Sequence, residues 1–581
     1  MSRLEQKDAV LRQRIADFQD MVRVTGDHHL VHVATQELAA FSSPDGQRAY
    51  EKYAQLKQEL RQATEQGAQD QRAWGLTAGR LRQQAATLKP CTPDEARRAA
   101  RELVSVLKHS TVGLRWLARL QQPASPGLSP ATEEMVVREL TGLFTGTVHG
   151  STADTDTDSG VLAALLGPTT KVFANVLPRV LQAVDDSGVW AERSVRRRLQ
   201  LAIMCTDLAD KTFPVRAGQE GANHEDGATT CAVFGVMLWG YDHAFDTFPS
   251  QFDGRTMTSE YLDALNQATL EAFDHALGGG EDFAELPARA LVGQDPDTLA
   301  AATQAALMHS VPHSLWLVGR LARQAVTDAA ALGPFRDAVV SHLRVRQAEM
   351  EEMQARLEAL DNPAATAAAQ QQAASAESVA AARRTAVKAY HRLRLVSGAT
   401  EAAMELVLAL RASQQGVSWP GVPACTHLWR STLRHAAMHV CYMNDLVSAP
   451  EEIENNDNNA IIVRLRFHVE FQQRVQHFLQ GDSSAGALVQ AAARAGFDAL
   501  AGPLGVAIAQ EMMTKTARQL AAVQAGVATI RQTAGPRVAQ LLEDATLDWM
   551  VGNIAFSLHT CRYARGVPLV LAALQNDWQA F

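Results

Sequence analysis

The most informative segment of the chain, residues 444–452, reads Asn-Asp-Leu-Val-Ser-Ala-Pro-Glu-Glu. It places an amide at Asn444, a hydroxyl at Ser448 and a carboxylate at Glu452, each four residues after the last. On an α-helix such steps drift by only about 40°, so the three oxygens would share one face over roughly 12 Å. Hard oxygen ligands suit Mg²⁺, which completes its shell with water and phosphate oxygens. The segment therefore predicts a magnesium and diphosphate site.

The same segment also fits the start of a helix. Ser448 would then be the N-cap, with Pro450 in the first turn and Glu451 closing a capping box. A helix that runs through Pro450 loses one backbone donor, at a cost of about 3 kcal/mol. On this segment alone, the metal-binding and capping interpretations both stay open.

Two further segments carry motifs that bear on this choice. Residues 549–563 read Trp-Met-Val-Gly-Asn-Ile-Ala-Phe-Ser-Leu-His-Thr-Cys-Arg-Tyr, and residues 390–399 read Tyr-His-Arg-Leu-Arg-Leu-Val-Ser-Gly-Ala. Together with residues 444–452 they resemble the class I terpene synthases of the bacterial type, over about residues 190–575. That family carries an Asn/Asp-Asp-x-x-Ser/Thr-x-x-x-Glu magnesium motif, a diphosphate-sensing arginine and a late Arg-Tyr pair. The resemblance favours metal binding at residues 444–452.

The resemblance assigns the metal positions to Asn444, Ser448 and Glu452. Two neighbours depart from the family pattern. Glu451 stands where a lysine or arginine often helps to hold diphosphate, and Pro450 could tilt Glu452 away from the metal. Because of Glu451, the site is expected to lack one of the cationic side chains with which the family holds diphosphate.

The resemblance also implies which residues contact the diphosphate and the hydrocarbon. Arg394 matches the diphosphate sensor, and Gly398 matches the glycine that breaks the next helix. Arg562 and Tyr563 match the late pair, while Phe556 replaces the usual Trp.

The family's first aspartate-rich motif has a weaker counterpart in residues 239–246, which read Trp-Gly-Tyr-Asp-His-Ala-Phe-Asp. Asp242 and Asp246 lie at i and i+4, so both carboxylates can face one cavity. By the resemblance, Asp242 is the main ligand and Asp246 a secondary one. The alternatives are Asp207 with Asp210, which lack the aromatic lead-in, and the aspartates of residues 154–158, in a Gly/Ser/Thr-rich segment.

The activity implied by the resemblance is ionisation of a linear prenyl diphosphate and cyclisation of the carbocation. Farnesyl diphosphate is the favoured substrate and geranylgeranyl diphosphate the second. Three Mg²⁺ ions would hold the diphosphate, and aromatic faces would stabilise the cation by about 0.5–2 kcal/mol each. Trp239 and Phe556 are the best-placed aromatics, with Phe245 next; plain helix packing is the alternative for each.

A second function stays open on the sequence. The chain could be a non-catalytic helical protein that binds prenyl diphosphates or acts as a scaffold on the same fold. A chain-elongating prenyltransferase is disfavoured because that chemistry usually uses two aspartate-rich motifs, and a second is missing from this sequence.

Composition and residue patterns predict an all-α class I terpene synthase bundle. Windows rich in Ala, Leu, Gln, Arg and Glu recur with apolar residues at i, i+3 and i+4. Residues 166–581 are expected to form the synthase domain, with a low-complexity insertion at about 344–388. Residues 1–165 form an extra helical region of unknown role, in which Thr92-Pro93-Asp94-Glu95 predicts a capping box.

Net charge and cysteine content limit the partners and the cellular location that the sequence predicts. A formal net charge of −9 argues against nucleic-acid binding. The 6 cysteines have no paired spacing, which favours reduced thiols and a cytoplasmic location. No apolar run reaches the roughly 18 residues of a membrane span. A homo-oligomer stays possible.

Overall fold

The chain forms two compact units in the computed structural model, Met1–Leu76 and Thr77–Phe581. The structure describes only residues of the second unit. They are 78–83, 92–120, 130–145, 170–189, 194–216, 221–246, 259–283, 299–344, 387–388, 390–391, 394–396, 398–419, 425–453, 459–465, 468–479, 496–559 and 566–575. Most of residues 1–165 and almost all of the expected insertion lie outside the described residues, so the predicted domain roles stay predictions.

The regular structure is helical throughout the described ranges, which contain no β-strand, so the expected all-α class is confirmed. No helix in these ranges combines the length and apolar character that crossing a membrane requires. The helices are α1 (Pro93–Lys108), α2 (Thr111–Arg119), α3 (Pro130–Thr145), α4 (Lys171–Ser187), α5 (Val195–Thr212), α6 (Ala222–Asp246), α7 (Ser259–Leu277), α8 (Leu299–Ala325), α9 (333–344), α10 (Thr400–Gln415), α11 (Thr426–Glu452), α12 (Ala460–Leu465), α13 (Val469–Leu479), α14 (Phe497–Thr533), α15 (Pro536–His559) and α16 (Val567–Gln575).

Helix α1 begins at the capping box that the sequence predicts. Thr92 Oγ1 accepts a hydrogen bond from the backbone nitrogen of Glu95 at 3.2 Å, and Glu95 Oε2 accepts one from the backbone nitrogen of Thr92 at 3.0 Å. Two backbone donors that the first turn leaves without helical partners are thereby satisfied.

Helix α10 packs against both helices that carry the predicted metal motifs. Helix α11, with residues 444–452, packs against α10, α12, α14, α15 and α16. Helix α6, with residues 239–246, packs against α4, α5, α8 and α10. Helix α10 therefore lies between the two motif helices, and Arg394, from the segment before it, is hydrogen-bonded to residues of α11.

Helices α5 and α15 approach each other closely at Gly552. A Cβ atom at this position would lie 2.5 Å from the carbonyl oxygen of Lys211. A side chain there would push the two backbones apart, so this glycine of the late motif has a packing role.

Candidate active site

Helix α11 runs to Glu452 without interruption and includes the whole of residues 444–452. The Ser448 hydroxyl donates to the Asn444 carbonyl oxygen at 2.8 Å, the bond to the preceding turn that a serine inside a helix can make. Ser448 is therefore not an N-cap, and the interpretation of this segment as a helix start is wrong. Pro450 removes one backbone donor in the last turn of this helix.

Asn459 joins two of the three predicted metal ligands. Its Nδ2 donates to Ser448 Oγ at 3.3 Å and to Glu452 Oε2 at 2.6 Å, and also to the carbonyl oxygen of Asp445 at 2.8 Å. Its Oδ1 accepts from the backbone nitrogen of Ile461 at 2.8 Å. The fully buried carboxamide therefore holds Ser448 and Glu452 on one face of α11.

Asp445 anchors the segment that carries Tyr390 and Arg394 to α11. Its carboxylate accepts hydrogen bonds from the Tyr390 hydroxyl at 2.9 Å, from Arg394 Nε at 3.0 Å and from the backbone nitrogen of Ala460 at 3.2 Å. Arg394 Nη2 also donates to Asn444 Oδ1. The structure thus brings Arg394 to the predicted metal face.

Burial and charge act against each other in this network. Burial is the largest single influence on the Arg394 guanidinium and lowers its pKa, but Asp445, Tyr390 and the other negative neighbours together outweigh it and hold that pKa well above its ordinary value. Burial, followed by the charge of Asp445, raises the pKa of Tyr390 well above its ordinary value. Burial also raises the pKa of Asp445, opposed by Arg394 and by the hydrogen bond from Tyr390. Arg394 and Tyr390 therefore remain hydrogen-bond donors at neutral pH.

The chain bends sharply between Arg394 and helix α10. Gly398 is in a turn, and its backbone nitrogen donates to the Arg394 carbonyl oxygen at 3.0 Å. A Cβ atom at Gly398 would lie 3.0 Å from that oxygen and 3.1 Å from Cys441 Sγ. The left-handed conformation falls on Ala399, with φ of 49°. This turn separates α10 from the segment that carries the arginine.

The predicted ligands on α6 lie at the end of that helix. Asp242 and Asp246 belong to its last turn, but their side chains, like that of Phe245, lie outside the described residues. The adjacent Tyr241 is buried and donates to Asn266 Oδ1 at 2.8 Å.

The alternative aspartates on α5 are engaged in local contacts. Asp207 is buried and paired with Lys211 one turn away. Asp210 accepts from Thr170 Oγ1 at 3.1 Å. Burial raises the pKa of both carboxyls. These contacts are what helix packing alone requires, and residues 154–158 lie outside the described part of the chain.

The late motif is described only up to His559, so Arg562 and Tyr563 lie outside the described residues. Phe556 is buried and stacks on Trp239 of α6, with ring centroids 6.1 Å apart and an interplanar angle of 26°. The two aromatics predicted to face the carbocation thus contact each other between α6 and α15.

An apolar cavity of about 30 Å³ lies beside the bend that precedes α10. Its lining includes Tyr241 of α6, His342 of α9 and Ala399 at the bend. His342 Nδ1 hydrogen-bonds the Val396 carbonyl oxygen at 3.0 Å. The volume suffices for one or two water molecules. Because Tyr241 and Ala399 line it, the cavity lies next to residues 239–246 and 390–399. It is smaller than a ligand pocket, which is commonly about 300 Å³ or more.

The donor set on α11 fits a hard divalent cation. Asn444, Ser448 and Glu452 offer an amide, a hydroxyl and a carboxylate oxygen, and two of these already surround the partially positive nitrogen of Asn459. Among the described residues, no group of three or more His, Cys, Asp or Glu side chains is placed to hold a metal. Ligation here would therefore depend on the neutral Asn and Ser oxygens together with one carboxylate.

Three residues of this network had no assigned role in the sequence: Tyr390, Asp445 and Asn459. Tyr390 and Asp445 lie inside the quoted segments. The acidic residue directly after the motif asparagine Asn444 was a signal that the sequence offered. Asn459 follows a separate polar segment, and no helical periodicity connects it with Ser448 and Glu452.

No family model matches the chain, and no curated protein matches its sequence. Among solved structures, the chain is similar to linalool/nerolidol synthase from Streptomyces clavuligerus in complex with 2-fluorogeranyl diphosphate. The TM-score is 0.37 at 13% identity, over 66% of this chain and 92% of that one. A second structure of that synthase gives 0.38 and 12%, over 66% and 95%. At such TM-scores the likeness does not establish a common fold, so function must be inferred from this chain's own residues.

Proposed function

We propose that this protein is a Mg²⁺-dependent terpene cyclase that ionises a linear prenyl diphosphate, with farnesyl diphosphate the favoured substrate, and cyclises the resulting carbocation. One observation supports the proposal above the others. Asn444, Ser448 and Glu452 share one face of α11, and Arg394 from a separate segment is hydrogen-bonded to the first of them. Oxygen ligands and a guanidinium side by side are what a metal-bound diphosphate requires.

Asn444, Ser448 and Glu452 would hold the metal on one side of the site, and Asp242 would hold it on the other. When bound, Mg²⁺ supplies positive charge that stabilises the departing diphosphate. Asn459 orients Glu452 and Ser448 toward that position, the task that residues behind metal ligands commonly perform.

Arg394 would bind the diphosphate directly. A guanidinium carries five N–H donors in a fixed fork, of which Asp445 and Asn444 take two. Because Asp445 is buried and held by Tyr390 as well, the arginine is positioned before the substrate arrives. Arg562 and Tyr563 would add donors from the late motif.

The hydrocarbon chain would extend into the apolar cavity beside the bend. Its lining includes the aromatic rings of Phe234 and Tyr241, which offer cation–π attraction to a carbocation. At about 30 Å³ the cavity must widen when a prenyl chain enters. Water exclusion around the cation would follow from the apolar lining.

A non-catalytic prenyl-diphosphate-binding protein is the second candidate, because Pro450 and Glu451 depart from the family pattern beside Glu452 and His243 replaces an aspartate beside Asp242. Incubation with Mg²⁺ and farnesyl or geranylgeranyl diphosphate separates the two, with diphosphate release and solvent-extracted hydrocarbons as readouts. Cyclic terpenes with release of diphosphate are the expected result. Saturable binding of either substrate without any release would contradict cyclase activity and support the second candidate.

A further inference from the structure

His342 lines the apolar cavity and carries a buried hydrogen-bond acceptor. The side chain is 3% exposed, and its Nδ1 lies 3.0 Å from the Val396 carbonyl oxygen. A carbonyl can only accept, so Nδ1 carries the proton and Nε2 carries the lone pair. Nε2 is buried and has no hydrogen-bond partner among the described residues.

The hydroxyls that line the same cavity cannot donate to Nε2, because their protons are used elsewhere. Tyr241 donates to Asn266, Thr269 to the Leu265 carbonyl oxygen, and Ser314 to the Ser310 carbonyl oxygen. A buried acceptor without a donor is energetically costly, because it has lost its hydrogen bonds to water. Such a cost at the wall of a cavity points to a ligand that brings its own proton to this nitrogen.

Burial keeps His342 in the form that can accept a proton. It lowers the pKa of the imidazole below its ordinary value, although the hydrogen bond to Val396 opposes the effect. At neutral pH the ring is therefore neutral, and its fixed tautomer leaves the Nε2 lone pair free to accept a proton.

We propose that His342 Nε2 is the base that ends the reaction by taking a proton from the cyclised carbocation. This inference rests on the proposed cyclase activity. A C–H bond next to the cationic carbon breaks, its electron pair forms the C=C bond of the product, and the proton bonds to Nε2. The imidazolium then returns the proton to water when the product leaves.

The location of the cavity supports this role over that of an ordinary core histidine. Its lining includes Tyr241 of α6, one residue before Asp242, and Ala399, five residues after Arg394, together with residues of α7, α8, α9 and α10. A substrate whose diphosphate lies between these two segments would place its hydrocarbon next to His342.

Two substitutions separate the base from the structural hydrogen bond. In His342→Asn, the carboxamide can still donate to Val396 but nothing reaches the position of Nε2. In His342→Gln, the carboxamide reaches that position as an acceptor but is not a base. The same change at a second buried histidine, His439→Asn on α11, is the matched control because His439 is 1% exposed and lies outside the cavity lining.

The experiment compares diphosphate release, hydrocarbon products and thermal unfolding for these variants with wild type under Mg²⁺ and farnesyl diphosphate. His342→Asn and His342→Gln should release diphosphate within a few-fold of wild type, because ionisation precedes deprotonation. Formation of the main alkene should fall by about 10²–10⁴-fold, in favour of alcohols and other alkenes, as for loss of a general base. His439→Asn should retain the wild-type products.

A wild-type product profile in His342→Asn would overturn the assignment of His342 as the base. Restoration of that profile by His342→Gln would also overturn it, since an acceptor alone would then suffice. If wild type releases no diphosphate, the proposed cyclase activity fails, and the role of His342 fails with it.

Discussion

At the scale of single residues, the decisive side chain is Asn459, because one nitrogen orients both Ser448 and Glu452. Asn459→Asp keeps the acceptor for Ile461 but puts a carboxylate oxygen against Glu452. We expect low activity at low Mg²⁺ and partial recovery at high Mg²⁺, because the cation offsets the repulsion. Glu452→Gln should not recover. A titration of diphosphate release against Mg²⁺ tests this, and an unchanged Mg²⁺ dependence in Asn459→Asp would exclude a positioning role.

The assignment of the α6 motif is a second prediction about single residues. Asp242→Asn should lower turnover by on the order of 10²-fold or more, as when a group that stabilises developing charge is lost. Asp210→Asn is the control, because Asp210 has a local partner in Thr170. Steady-state rates at saturating Mg²⁺ provide the comparison. An equal or larger loss in Asp207→Asn or Asp210→Asn would move the motif to α5.

Residue types and spacing predicted part of this site and missed the rest for a physical reason. The shared face of Asn444, Ser448 and Glu452 follows from helical periodicity, which is local. The bond from Asn459 depends on how the chain returns after Glu452, and periodicity carries no information about that path. The interpretation of Ser448 as the start of a helix was wrong. A proline near the end of a helix costs less free energy than the packing of the preceding turns contributes.

At the scale of helices, the contact of α5 with α15 sets a limit at Gly552. Gly552→Ala puts a methyl group 2.5 Å from the Lys211 carbonyl oxygen, so the helices must move apart. We expect a loss of about 1–3 kcal/mol in the free energy of unfolding. Gly333→Ala is the control, because its Cβ meets nothing within 4 Å and its φ is −56°. Chemical denaturation of both variants decides, and equal stabilities would show that α15 has room to shift.

Helix α11 also carries a pH-dependent contribution to stability at His439. Burial lowers the pKa of this imidazole from 6.5 to about 3. The unfolded chain therefore binds a proton near pH 6.5 while the folded chain does not, and stability falls as the pH drops through this range. Between pH 7.5 and 5 the loss should be about 2 kcal/mol relative to His439→Leu, which lacks the titrating group. An equal change in the free energy of unfolding between the two pH values for both proteins would contradict this prediction.

At the scale of the whole molecule, the all-α class followed from composition and residue patterns, and the predicted division at residues 165 and 166 stays a prediction. Helices α1 to α3 belong to the same compact unit as the candidate site, although no motif in residues 92–145 indicates this. Their contacts are ordinary helix packing and ion pairs, such as Arg97 with Glu134, which many sequences could form. Motifs identify sites, and the packing of the remaining helices leaves no comparable signal.

The central claim is that the oxygens on α11 support metal-dependent departure of diphosphate. Diphosphate release from farnesyl diphosphate, with Mg²⁺ and with EDTA, tests it most directly in wild type, Glu452→Gln and the control Glu543→Gln, whose carboxylate pairs with Arg531 on α14. We predict release that EDTA abolishes, a decrease of about 10²–10³-fold in Glu452→Gln, and a wild-type rate in Glu543→Gln. Release at the wild-type rate by a folded Glu452→Gln, or none by wild type with Mg²⁺, would contradict the claim.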